Sequence, residues 1–507
     1  MGLWSLYFLA KLALFHGGYS GFHVWENLLF AVAMAWPQER VLWRRLRHLA
    51  AVPVALALLY HDSWLPPLNR LLSQAGALRD FSLDYLLELL GRFINPSLIT
   101  NLLVALVLVW FLGRILRLAT FVFLGILSVV PMTYLPSGGL APALTAQGKG
   151  GQGSTRLDPD ARLAAFYQTQ KRRQLPFHAP ESGPPAFDVI YLHICSLSWD
   201  DMAFLRLQEH PFFQNFDFLF RQFNSAASYS GPAAVRLLKS SCGQHDHKET
   251  YRERNPQCQL FRHFEEAGFE AQALLNHDGR FDNFGKLLES EGGFSRKPMI
   301  PQDAPVAMRS FDNTPIYSDL AVLSRWWQAR QQTGGKPVAL YYNSISLHDG
   351  NRLPGEKSTA SLQTYKPRLT QLLEDFDRFI KALEASNRPV VVVLLGEHGA
   401  ALRGDRLQIA GLREIPSPRI TLVPAAVKLI GMPGMSGAPQ VIDRPTSYLA
   451  LTAVLAQLLN GETDREQLAA RLPETEHVSE TDALVLMRLG EGYKMRSADG
   501  VWVDYRE

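Results

Sequence analysis

Apolar positions are spread unevenly along the chain, and the unevenness divides it. Within residues 1–136 five nearly uncharged runs stand out: Leu3–His16, Phe22–Trp36, Leu49–His61, Ser97–Gly113 and Leu118–Leu135. Their apolar residues are continuous, not confined to one face, which argues against core helices with a polar side. The last two approach the length that crosses a hydrocarbon layer, and the first three reach it with their flanks, although Lys11 lies inside the first. The pattern predicts a transmembrane domain over 1–136 with about five helices.

Arg40, Arg44, Arg45 and Arg47 separate the second run from the third, and Arg114 and Arg117 separate the fourth from the fifth. Basic loops stay inside, so both clusters and the N-terminus are expected in the cytoplasm. The segment "HDSWLPPLNRLL" and everything after Leu135 are then outside, which predicts a multi-pass membrane protein whose larger part is exported. No small-residue cleavage site follows the first run, so it reads as an anchor and not a removed signal peptide.

The stretch "SGGLAPALTAQGKGGQGSTRLD" has neither helical nor strand period and is rich in Gly, Ser, Ala and Pro. It reads as a flexible linker over 137–160, ahead of a second domain over 161–507. There the pattern changes. "FDVIYLHICSLS", "PVALYYNSISLHDG", "PVVVVLLGEHGA" and "ITLVPAAVKLIG" are short apolar runs typical of strands buried on both faces. Amphipathic stretches such as Ser361–Ala385 lie between several of them, predicting an α/β domain with a mainly parallel sheet sandwiched by helices.

Ligands of such sheets bind beyond the carboxyl ends of the strands. Those ends carry Cys195 and Ser196, His348 and Asp349, and Glu397 and His398. A lone Cys is commonly a small hydrophobe and a lone His can satisfy a turn. Adjacent Glu397 and His398 after an all-apolar strand are harder to place without a partner or a metal. Ser230 has two readings. In "AASYSGPAAVRLLKSSCG" it can be the N-cap of a helix with Pro232 in its first turn, or a nucleophile at a helix mouth.

Composition adds little except at cysteine. A chain of 507 residues, 47% hydrophobic, has room for two or three domains, and a net charge of +3 without a basic stripe gives no argument for nucleic acid. Cys242 and Cys258 enclose fifteen residues and form a candidate disulfide in an oxidising compartment, leaving Cys195 unpaired. Thiolate, carboxylate and imidazole at neighbouring strand ends match the donor set of a catalytic zinc, which leaves a fourth position for a reacting oxygen such as Ser230 Oγ. A helix N-terminus at that point favours an anionic phosphoryl group.

"ICSLSWDD", "FNSAASYSGPAAVRLLKSSCGQ", "LHDGNRLPG", "GEHGAALRGDR" and "GLREIPSPRIT", with "FHGGYSGFH" and "HDSWLP" near the start, make the chain resemble the alkaline-phosphatase-like, membrane-anchored phosphoethanolamine transferases over nearly its whole length. The resemblance implies Ser230 as nucleophile, Cys195, Glu397 and His398 as Zn²⁺ ligands, and active-site roles for Tyr229, His348 and Arg413. It also implies a Cys242–Cys258 disulfide, and a bacterial inner membrane with the exported, catalytic part in the periplasm. Members acting on lipid A carry a carboxylate and a Thr where this chain has Cys195 and Ser230, which favours the branch that decorates cellulose. The implied donor is phosphatidylethanolamine, a membrane lipid, and the implied acceptor is O6 of a glucosyl unit beside cellulose synthase subunits. Rival readings are transfer to lipid A or another glycan, a phosphatase or sulfatase, and a non-catalytic partner of the synthase.

Overall fold

The computed structural model describes residues 1–2, 4–17, 19–63, 81, 83–93, 96–134, 158–175, 185–252, 255–333, 335–355, 361–432 and 437–506. The chain divides into two compact units, one formed by Met1–Leu68 with Leu89–Arg156 and the other by Asn69–Glu88 with Leu157–Glu507. The expected linker lies outside the described residues through residue 157, as does "HDSWLP" from Trp64 onward.

In the first unit each of the five apolar runs forms a helix, at Trp4–His16, Val24–Ala35, Val41–His61, Pro96–Leu112 and Leu118–Tyr134. The expected membrane spans are not found among them: no helix of the described residues is long and apolar enough to cross a membrane. The reason is length and charge. A span needs about 20 apolar residues, or ~30 Å, and these helices have 13, 12, 21, 17 and 17 residues. The one that is long enough carries Arg44, Arg45 and Arg47 in its first half. The multi-pass fold, the inner-membrane placement and the cytoplasmic and periplasmic sides derived from it are corrected accordingly. Phe8, Leu12, Phe30, Ala31, Met34, Val122, Ile126 and Val129 form the core of this unit. A buried ion pair, Lys11 Nζ to Asp62 Oδ2 at 2.5 Å, lies beside it.

The second unit is built on a seven-stranded sheet ordered β3-β6-β1-β7-β8-β2-β9. Its strands are β1 (Asp188–Ile194), β2 (Phe218–Asn224), β3 (Glu270–Leu275), β6 (Val338–Ser344), β7 (Val390–Gly396), β8 (Leu422–Ile430) and β9 (Gln440–Ile442), with β4 (Val306–Arg309) and β5 (Pro315–Tyr317) forming a separate hairpin. Four further strands, Val478–Glu480, Val485–Leu489, Gly492–Arg496 and Trp502–Tyr505, make an antiparallel sheet. All four runs expected to be strands are strands, because each is buried on both faces and so has no polar side to show.

Alternation sorts their side chains into two cores. Val189, Tyr191, Ala339, Tyr341, Val391 and Val393 pack on one face with the helices Ser230–Leu238, Leu260–Glu266 and Tyr448–Leu459. Ile190, Leu192, Leu340, Tyr342, Val392 and Leu394 pack on the other with Asp319–Gln332 and Ser361–Glu384. Within the sheet β3, β6, β1 and β7 are parallel, whereas β8 runs against both β7 and β2. That reversal matters for the site: the exits of β1, β6, β7 and β2 and the entry of β8 share one rim.

Candidate active site

Strand register assembles the centre. Ile194 pairs with Gly396 across β1 and β7, and the Glu397 amide donates to Ile194 O at 2.8 Å, so Cys195 and Glu397 leave the sheet side by side. The Cys195 amide donates to Ser344 O at the end of β6, and Ser196 then turns the chain with φ of 60°. The two exit loops approach so closely that a Cβ on Gly396 would meet Leu197 O at 2.5 Å, and one on Gly399 would meet Ser198 Oγ at 2.6 Å. Asp201 joins them by accepting the amides of Ala400 (2.6 Å) and Leu402 (2.9 Å) and the Ser198 hydroxyl (2.8 Å).

Ser230 reaches this point from β2. Tyr229 occupies the N-cap position with extended backbone (φ −139°, ψ 152°) and the helix Ser230–Leu238 starts at Ser230 itself. The N-cap reading of Ser230 therefore fails, and its hydroxyl is not committed to the helix end. Ser230 Oγ lies 3.3 Å from Cys195 Sγ and 3.3 Å from His398 Nε2, and those two atoms are 3.8 Å apart. One donor atom from each of Cys195, Glu397 and His398 falls within 4.8 Å of the others, an arrangement able to hold a metal ion.

The electrostatics of the three groups match that use. Burial pushes the Cys195 thiol up to about 12, helped by the Glu397 charge, and pushes the Glu397 carboxyl up to about 7 against hydrogen bonds from Ser230 and Asn343. Burial, with Arg413 adding to it, holds His398 well below the usual imidazole range. Buried anions this close are costly unless a cation joins them. Glu397 Oε2 closes no well-aligned hydrogen bond although it is buried. The His398 Nδ1–H points to Gly399 O at 2.9 Å, which leaves the Nε2 lone pair facing Ser230 and Cys195. Sulfur, carboxylate oxygen and imidazole nitrogen suit a borderline-soft divalent ion.

The remaining expected residues adjoin this centre by different routes. Arg413, on the segment entering β8, places Nη1 3.3 Å from Ser196 Oγ and 3.2 Å from His398 Nδ1, and its Nε is buried without a hydrogen bond. Its guanidinium lies 5.4 Å over the Tyr229 ring, whose hydroxyl donates to Glu414. His348 follows β6, with Nδ1–H donating to Asp349 O at 2.8 Å; burial and then Arg413 push its pKa down to about 4, so it is neutral at pH 7 with Nε2 as a base. Arg368, fully buried, donates to Ser346 O and His348 O and fixes that loop. Tyr85 donates to Asp349 Oδ2 at 3.3 Å. Cys242 and Cys258 form a disulfide beyond the helix Ser230–Leu238, and Cys195 stays free.

Asn343, His277 and Asp201 were not singled out from sequence, although Asn343 and His277 carry a visible signal. Asn343 interrupts the apolar run "ALYYNS", and Asn276 and His277 follow the apolar β3. A polar residue inside a fully buried strand must find a partner.

Comparison with known proteins places these features in a family. Residues 146–502 match the family described as cellulose biosynthesis protein BcsG C-terminal domain, and residues 4–131 match its N-terminal domain. The chain is 38% identical over 540 residues to the cellulose biosynthesis protein BcsG of Salmonella typhimurium, covering 99% of this chain and 96% of that protein. It is 37% identical over 538 residues to BcsG of Escherichia coli, with the same coverage. Among solved structures, a protein of the alkaline phosphatase superfamily from Vibrio parahaemolyticus superposes with a TM-score of 0.51 at 12% identity, over 69% of this chain and 91% of that one. That likeness establishes a shared fold.

Proposed function

The chain belongs to the BcsG family of cellulose biosynthesis proteins, and from that premise we propose that this enzyme transfers phosphoethanolamine from phosphatidylethanolamine to O6 of glucosyl units in cellulose. The observation that carries the proposal is Ser230 Oγ, 3.3 Å from both Cys195 Sγ and His398 Nε2 at the first turn of a helix.

Ser230 is the nucleophile in a two-step exchange. Its oxygen forms a bond to phosphorus while the bond to the diacylglycerol oxygen breaks, and the leaving oxygen takes a proton. In the second step the sugar hydroxyl loses its proton, bonds to phosphorus and releases Ser230. Cys195 Sγ, a Glu397 oxygen and His398 Nε2 would hold zinc, which when bound would supply Lewis acidity to lower the hydroxyl pKa of Ser230. His348, neutral at pH 7, holds the proton that moves between leaving and entering oxygens. Arg413 offers its free Nε–H to the phosphoryl oxygens, and the amides of the first helical turn face the same charge. Tyr229 keeps the guanidinium in place from below.

The test is incubation with phosphatidylethanolamine and mass analysis of the Ser230 peptide. A phosphoethanolamine adduct there, discharged by a cello-oligosaccharide that gains the group, is the expected result. Transfer without any Ser230 adduct overturns the covalent route, and adduct formation without discharge to the oligosaccharide overturns the acceptor.

A further inference from the structure

Two stretches singled out from sequence, "FHGGYSGFH" and "HDSWLP", have no part in the site described above, yet the first unit brings them together. The Gly21 amide donates to Asp62 O at 2.8 Å, and the His23 amide donates to Asp62 Oδ1 at 3.0 Å. His23 stands just before the helix Val24–Ala35, and His61 and Asp62 end the helix Val41–His61. Their side chains converge. His23 Nδ1 is 2.6 Å from Asp62 Oδ1 and 2.9 Å from His61 Nδ1, with the two imidazole rings edge to face at 4.0 Å between centroids.

The geometry points to a second metal site, in which His23 Nδ1, His61 Nδ1 and Asp62 Oδ1 bind one divalent cation of the zinc type. Three donor atoms lie within 4.8 Å of one another, the same convergence seen for Cys195, Glu397 and His398. Without a cation, a proton on His23 Nδ1 is shared between Asp62 Oδ1 and His61 Nδ1, and Asp62 Oδ1 also accepts the His23 amide. A metal ion uses all three lone pairs at once. Two nitrogens and one oxygen leave a fourth position open to water or ligand.

The surroundings hold the carboxylate as supporting groups do in metal sites. Asn27 Nδ2 donates to Asp62 Oδ2 at 2.8 Å and Lys11 Nζ approaches the same oxygen at 2.5 Å, so Oδ1 is the atom turned toward the imidazoles. Asn27 is itself fixed, accepting from Lys11 Nζ at 2.7 Å and donating to His23 O at 2.8 Å. Asp62 and Lys11 are almost wholly buried, whereas His61 is open to solvent and gives an entry path. The Lys11 charge opposes a second cation nearby, so this is the weaker of the two sites and loses metal first to a chelator.

The experiment uses the full chain, stripped by chelator, reloaded with Zn²⁺ or Co²⁺, and measured for metal per chain. Cys195→Ala removes the sulfur of the other site, and the inference expects that variant to keep about one metal. In Co²⁺ form it should show d–d bands with no thiolate charge-transfer band. Adding His61→Ala, a change at an exposed position, should remove that metal. A Cys195→Ala chain that binds no metal, or a double variant that binds as much as Cys195→Ala alone, overturns the second site. Wild-type chain with one metal that Cys195→Ala leaves in place would instead remove the proposed catalytic ligand set while supporting this one.

Discussion

Asn343 donates its amide hydrogen to Glu397 Oε1 at 2.5 Å, and a third residue sets the direction of that bond. The Gly279 amide donates to His277 Nδ1 at 3.1 Å, so the imidazole carries its proton on Nε2 and gives it to Asn343 Oδ1 at 2.9 Å. With its oxygen so engaged, Asn343 has only its NH₂ group to turn toward Glu397. The change Asn343→Asp puts an acceptor against an acceptor. Metal affinity should fall about 10- to 100-fold, and His277→Ala should lose less, since it acts through Asn343. Chelator competition measures both, and unchanged affinity in Asn343→Asp contradicts the positioning role.

Ser230→Ala should leave stability within about 0.5 kcal/mol, because Tyr229 and not Ser230 occupies the cap. Transfer should fall by on the order of a thousandfold or more. Activity and melting temperature measured on the same preparation check both halves, and a melting temperature lowered as far as loss of a cap requires (about 1 kcal/mol) would revive the structural role.

Cys258→Ser breaks the Cys242–Cys258 bond, which joins positions 16 apart in sequence. The expected cost is about 3 kcal/mol, from a less constrained unfolded chain. Denaturant unfolding of oxidised wild type against the variant gives the difference. Equal midpoints would show that the staple contributes nothing.

His477 is buried among hydroxyls, with Nε2 3.0 Å from Thr421 Oγ1 and Nδ1 3.1 Å from the Tyr493 hydroxyl, and burial pushes its pKa down to about 3. The folded state therefore refuses a proton that the unfolded chain accepts. Its contribution is complete above about pH 6.5 and is lost as pH falls toward 3, at up to about 1.4 kcal/mol per unit. His477→Gln should flatten the decline in stability between about pH 6.5 and 4. Urea unfolding across that range tests it, and parallel slopes for the two proteins would exclude His477 as the group responsible.

The strands carrying the site were legible because burial on both faces leaves continuous apolar runs, and the polar residue after each run marks a strand exit. Cys195 after β1 and Glu397 and His398 after β7 were found in that way. The direction of β8 was not legible, since an apolar run reads alike both ways. Arg413 lies on the rim because it precedes an antiparallel strand. Asn343 and His277 escaped notice because their bond joins β6 to the end of β3, a contact made by register and not by proximity in sequence. Ser-Gly-Pro favours a cap at Ser230, but the helix begins one residue earlier than that signal implies. The apolar runs near the start were correctly read as helices, but four of those helices are too short for a membrane span and the fifth, Val41–His61, carries three arginines in its first half.

With β8 reversed, every reactive group hangs from one rim of the sheet, and the other rim is a handle. There the turn between the helix Ser361–Glu384 and β7 exposes Asn387 in the left-handed region (φ 54°). Exposed turns of this kind accept insertions best. A fluorophore or surface tether at that turn would hold the enzyme from behind and leave the opposite rim, with Ser230, Cys195 and His398, unobstructed.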